Sequence, residues 1–186
     1  GFFLAVLRKP EGEETQIRYK STSSQGKKKT GSSKVNAGAS KEQLLAARAW
    51  LLSAEDYEVS ANGMNITAFS KEYISELSVL QQSLRVVQAG VTLAEVKGKD
   101  LIPNHALAMS TVQVSDAFPR EEISYEQAIA YLRKEAIVLS GTAPRGYVLL
   151  TYKDVPLGFV KNIGNRANNL YPQEWRIRSG YLPDEI

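Results

Sequence analysis

An α+β fold of short helices and antiparallel strands, ending in a small β-barrel, is what this sequence predicts. Three observations lead there. Short strand-type segments recur between turn residues along most of the chain. Two Ser-x-x-Gln boxes, Ser40 to Gln43 and Ser124 to Gln127, each open a stretch with apolar residues at helical spacing. Strands and helices do not alternate in the βαβ rhythm that builds a doubly wound parallel sheet.

Taken in order, Phe2 to Leu7 is an apolar run of strand type, ended by Arg8-Lys9-Pro10. Alone it cannot bury both faces, so residues 1–9 read as a strand belonging to a sheet supplied from elsewhere. The opening Gly1, in place of methionine, fits an internal segment rather than a natural start. Residues 10–39 carry Ser21-Thr22-Ser23-Ser24, Lys27-Lys28-Lys29 and Gly31-Ser32-Ser33 with almost no large apolar side chains. Such a composition cannot offset the entropy of ordering, and a flexible basic linker is expected.

Folded structure is expected from Ser40. Its box starts a helix with Leu44, Ala47 and Leu51 on one side, running to about Leu52. Tyr57 to Ser60 and Asn65 to Phe69 flank Asn62-Gly63, a strong hairpin signal. Lys71 to about Leu80 reads as a short helix. A second hairpin is expected from Leu84-Arg85-Val86-Val87 through Ala89-Gly90 to Val91–Val96, and a helical turn carrying His105 follows Pro103. Phe118-Pro119 and a change of charge place a boundary near 117, separating a small α+β segment, 40–116, from a C-terminal domain, 117–186. The second domain starts with the Ser124 helix, on which Ala128, Ile129 and Leu132 face inward. Tyr147–Tyr152, a turn at Lys153–Pro156 and Leu157–Lys161 form its central hairpin, and Glu174–Arg178 a last short strand.

The totals exclude several classes of function. At 186 residues, with 43% hydrophobic and 23% charged residues, the chain has room for one ordinary domain or two small ones. It has no cysteine, which removes disulfides, thiolate metal sites and cysteine nucleophiles and fits a reducing cytoplasm. A single histidine, His105, rules out multi-histidine metal sites, and a structural, hydrogen-bonded role is its default. Neither a Walker loop nor a G-x-G-x-x-G phosphate loop occurs. The apolar run at the start is far below the roughly 20 residues of a membrane helix. Net charge is +3, but unevenly spread. Residues 1–40 have eight Lys/Arg against three Asp/Glu, 41–116 six against nine, and 117–186 nine against eight.

The chemistry is concentrated between Phe159 and Arg178, where Lys161, Arg166, Arg176 and Arg178 stand among four asparagines against one acid, Glu174. Cations of this density suit phosphates, and amides such as Asn162 and Asn169 suit the polar edges of unpaired bases. Tyr171 and Trp175 offer stacking surfaces. Plainer readings compete at each position. Strand alternation puts Trp175 and Ile177 on one face, which makes Trp175 a core residue. Asn165 after Gly164 suits a turn, and Tyr171-Pro172 suits an extended approach to the last strand. Arg176 and Arg178, outward at i and i+2, repel one another unless a polyanion lies across them. The candidate RNA-binding set is therefore Lys161, Asn162, Arg166, Asn169, Tyr171, Arg176 and Arg178.

From Pro156-Leu157-Gly158 and Lys161 through Asn169, Pro172, Trp175 and Arg176, the sequence resembles the C-terminal domain of bacterial Sun-type RNA cytosine-5 methyltransferases. Those proteins carry a similar PLG-x-x-K … N-x-x-P-x-x-W-R stretch in a PUA-like RNA-binding domain. Ala128 to Arg133 followed by Gly141, and Asn104 to Ala108, look like the branch that modifies ribosomal RNA. Gly1 to Lys9 resembles the closing strand of that family's methyltransferase sheet. The resemblance implies a PUA-like barrel, a parent enzyme using S-adenosylmethionine, and ribosomal RNA of the small subunit as partner, beside the parent's own methyltransferase domain. The family's two catalytic cysteines map to no position here, so no catalysis is expected from this chain alone. The rival expectation is a protein-interaction module that packs on the methyltransferase domain, favoured for the acidic 41–116 section.

Overall fold

The computed structural model describes residues 39–180, which lie within one compact unit. The expected strand at 2–7 and the basic linker at 10–39, with its three consecutive lysines, lie outside the described residues apart from Ala39. The fold is α+β. Two four-stranded sheets follow one another in sequence, with strand orders β1-β2-β3-β4 and β5-β6-β7-β8.

Helix α1 (Lys41–Arg48) starts at the Ser40 box, whose hydroxyl accepts from Gln43 N while the Gln43 side chain accepts from Ser40 N. It ends four residues before the expected Leu52. The chain beyond it is needed for pairing: Val114 N donates to Trp50 O and Leu52 N to Val112 O. That bridge draws Leu51 into the core at 4% exposure.

Strands β1 (Tyr57–Asn62) and β2 (Asn65–Ser70) form the expected hairpin, with Gly63 at φ +60° in the turn. Helix α2 (Ile74–Ser83) follows. The second expected hairpin is not there. Leu84 caps α2, and residues 84–90 run outside any strand. The reason lies in β3 (Val91–Lys97), whose edges are both taken: β2 pairs on one side and β4 (Asp100–Pro103) on the other. A tight turn at Gly98-Lys99, with Gly98 at φ +62°, makes the β3–β4 hairpin that the sequence reading missed. Asn104 then caps α3 (His105–Ala108), its side chain accepting from Ala106 N.

The second sheet is built on the long hairpin of β6 (Gly146–Tyr152) and β7 (Val155–Asn162). Lys153 and Asp154 turn it, both at positive φ, as a tight two-residue loop requires. β5 (Arg120–Glu122) pairs parallel to β6, and β8 (Ala167–Asn169) antiparallel to β7. Among the described residues this sheet does not close into the barrel that was expected: β5 and β8 remain its edges. The cause is the missing last strand. Gln173–Trp175 is a single 3-10 turn after Pro172, and Ile177 N donates to Leu132 O instead of to a strand.

Helix α4 (Tyr125–Leu132) covers one face and opens with the second reciprocal box, Ser124 with Gln127. Loss of that hydroxyl in Ser124→Ala is expected to destabilise the protein by about 1 kcal/mol, read as a lower urea midpoint.

The continuous run Val148-Leu149-Leu150 explains how the sheets join. Val148 and Leu150 pack with Ala128, Tyr131, Ile137 and Val160 under α4. Leu149 and Phe159 turn the other way, into a core shared with Ile66 and Leu93 of the first sheet, Leu107 of α3 and Phe118. A strand buried on both faces loses the alternation of a half-exposed one. Gly158, at φ +142°, lets β7 pass directly against α4. A Cβ there would overlap the Tyr131 hydroxyl and stand 2.8 Å from His105 Nδ1.

Candidate nucleic-acid interface

Four of the seven candidate residues are tied into the scaffold. Lys161 forms an ion pair with Asp100 Oδ2 at 3.2 Å and lies 5.3 Å from the Tyr147 ring centre. The hydrogen bond to Asp100, then the field of Tyr147, holds its ammonium above the usual lysine value. Asn162 is buried; its amide donates to Ala143 O and Pro144 O at 3.1 and 3.0 Å and its oxygen accepts from Gly164 N. Asn169 donates to Tyr131 O and Glu135 O at the C-terminal end of α4 and accepts from Tyr171 N. Both carbonyls lie where α4 ends and the chain turns away, so the amide ties β8 to that end of the helix. Tyr171 is half-buried, edge-on to Tyr131 at 5.4 Å and to His105 at 5.1 Å.

The three arginines are exposed and fall into two grooves. Arg166 lines a groove of about 210 Å³ between the 138–145 loop and the β7–β8 turn. Exposed Arg145 joins it there, its guanidinium lying where a Cβ on Gly164 would come within 2.8 Å. Sequence reading passed over Arg145, since twenty residues separate it from Arg166 and only the β6–β7 pairing brings it back. Arg176 and Arg178 line a second groove of about 420 Å³ with Arg133 and Glu135. Arg133 donates to Ser179 O at 3.0 Å, which fastens the C-terminal segment to α4.

Trp175 corrects the sequence reading. It is 59% exposed, not a core residue, because no strand forms to turn it inward. Its indole meets His105 edge-on at 5.4 Å, and both residues line a cleft of about 790 Å³ that also takes in Phe69, Asn65 and Lys134. Lys134 donates to Tyr171 O, and burial lowers its ammonium pKa, with Glu174 opposing the shift.

Burial also holds the His105 imidazole below its ordinary value. The unfolded chain then takes up a proton at higher pH than the folded one. Stability from this residue is fully present above about pH 6.5 and is lost as pH falls below that toward the folded value. The urea midpoint is expected to fall between about pH 7 and 5.5, with a shallower slope in His105→Gln. Among the described residues no group of three or more His, Asp or Glu could hold a metal ion, and no helix is long and apolar enough to cross a membrane.

Two grooves lined by exposed arginines thus lie beside an open aromatic cleft on an α+β scaffold. Residues 118–177 match the family described as the methyltransferase RsmF PUA domain. Among curated proteins, the chain is similar to ribosomal RNA small subunit methyltransferase F of Klebsiella pneumoniae, at 30% identity over 53% of this chain and 20% of that protein. The protein of the same name from Shewanella woodyi is 35% identical over 49% of this chain and 19% of its own length. That from Citrobacter koseri is 29% identical over 58% and 22%. The chain thus spans about a fifth of the length of the curated relatives it matches. The stretch from 118 to 177 is thus similar to a methyltransferase PUA domain, which supports a PUA-like fold in the second half of the chain.

Proposed function

We propose that this chain is the RNA-holding region of an S-adenosylmethionine-dependent ribosomal RNA cytosine-5 methyltransferase. It grips small-subunit ribosomal RNA and positions it for a catalytic domain outside this chain, in the cytoplasm. The observation that carries this reading is the placement of four exposed arginines, Arg145, Arg166, Arg176 and Arg178, in two grooves on and beside the segment that matches the PUA family. Guanidinium pairs are suited to phosphate oxygens, and phosphate contacts set most of the affinity for RNA. Lys161, Asn162, Asn169 and Tyr171 serve this surface by holding its strands and helix end in place. A tether to a catalytic domain raises the local concentration of bound RNA there.

A second role for the first half has its own support. None of the residues of α2 is buried, and Leu80, Leu84 and Val87 are 48%, 63% and 92% exposed. With six Lys/Arg against nine Asp/Glu, section 41–116 repels a polyanion and suits packing on the methyltransferase domain.

The test is binding of the whole chain to small-subunit ribosomal RNA fragments across a salt series, beside Arg176→Glu/Arg178→Glu and a form lacking residues 11–39. Salt-sensitive binding that survives the deletion but falls with the arginine change supports the reading. Absent binding, or binding lost only with the basic segment, overturns it.

A further inference from the structure

The cleft between the first sheet and the C-terminal segment takes no part in the phosphate grip. Its volume of about 790 Å³ falls in the range of roughly 300–1,000 Å³ typical of small-ligand sites. Phe69 and Asn65 of β2 contribute to it from the first sheet, and His105, Lys134 and Trp175 from α3 and the second half.

We propose that this cleft captures a single unstacked nucleobase of the bound RNA, stacked on Trp175, while Arg176 and Arg178 hold the neighbouring phosphates. The proposal rests on the RNA-binding reading above and adds to it a site for a base.

Three features fit a base better than other occupants. The Trp175 ring meets the His105 ring at a steep angle of 73° and is still 59% exposed, as a stacking platform needs to be. The lining carries Glu95 and Glu174 against the one cation Lys134, which is already engaged with Tyr171 O. That balance keeps phosphate out of the cleft but offers carboxylate acceptors to the amino groups of a base. The next residue along the chain from Trp175 is Arg176, so a base on the indole leaves its phosphate beside the exposed arginine pair. An amphipathic peptide helix would instead call for a continuous apolar groove, and here amides and carboxylates interrupt the apolar lining.

The chain has two tryptophans, and Trp50 packs on Phe118 at 4.9 Å, so Trp50→Phe leaves Trp175 as the reporter. The full chain with this change is titrated with a short single-stranded RNA of mixed sequence and with the same strand in a duplex. Binding is followed by anisotropy of labelled RNA and by Trp175 emission. The single strand is expected to quench Trp175 and the duplex, whose bases stay stacked, to leave it unchanged. In the otherwise native chain, Trp175→Ala is expected to weaken single-strand binding about five- to a hundredfold, while Trp175→Phe holds within about threefold. Circular dichroism checks that both variants fold.

Bound single strand with unchanged Trp175 emission, or equal affinity in Trp175→Ala, overturns base capture and leaves the RNA-binding reading standing. Duplex quenching equal to that of the single strand overturns it as well. No anisotropy change with either RNA removes both.

Discussion

Phe159→Ala is expected to lower the unfolding free energy by about 3–5 kcal/mol, and to do so in one transition for the whole described fold. Phe159 is 1% exposed and lies 4.8 Å from the Phe118 ring, which in turn packs on Trp50. It shares its cluster with Ile66 and Leu93 of the first sheet, although it belongs to β7 of the second. Truncation removes the ring and leaves a cavity against both sheets, so the transfer and cavity terms add. Urea unfolding followed by Trp50 fluorescence in a Trp175→Phe background reports the first half, and far-ultraviolet circular dichroism reports the whole. Coincident curves with a lower midpoint and an unchanged slope are the expected result. Two separated transitions would show that Phe159 does not unite the halves.

That shared core shows where sequence reading succeeds and where it stops. Signals carried by neighbours in the chain were legible. Both Ser-x-x-Gln boxes form as read, Asn62-Gly63 turns a hairpin, and a helical turn carrying His105 follows Pro103. Signals that depend on competition between segments were not. Leu84–Val87 has the residues of a strand, but β3 offers it no free edge once β4 has paired. Trp175 and Ile177 alternate correctly for a strand, yet Ile177 N finds Leu132 O before it finds a sheet. The barrel fails for the same reason.

The candidate site was legible in kind more than in detail. The arginines at 166, 176 and 178 are exposed, because a solvated cation is the inexpensive state for that side chain. The asparagines misled. An amide beside a turn or a helix end meets backbone groups first, and Asn162 and Asn169 are taken up by them. Arg145 could not be found from spacing, because its place beside Arg166 depends on β6 returning alongside β7.

The two arginine grooves lead to the second large effect. Replacing Arg145, Arg166, Arg176 and Arg178 together by glutamate is expected to weaken binding to small-subunit ribosomal RNA fragments by about a hundred- to ten-thousandfold. Each exposed guanidinium–phosphate pair contributes about three- to tenfold once solvent screening is allowed for. The salt dependence is the more diagnostic reading. For each phosphate no longer neutralised, the slope of log K against log salt should shrink by about 0.7 for single strands and 0.9 for duplex, so the quadruple change lowers it by about three. The pair Arg145/Arg166 and the pair Arg176/Arg178 line separate grooves, so their effects should add in free energy. Anisotropy titrations from low to physiological salt, on each pair and on the quadruple variant, measure both quantities. A weaker affinity at unchanged slope would mean that the substitutions disturbed the fold and that the grooves carry no phosphate. A slope that falls with only one pair would confine the grip to that groove. If both pairs lower it equally, the RNA backbone runs across the β7–β8 turn and the C-terminal segment alike, with the aromatic cleft opening beside Arg176.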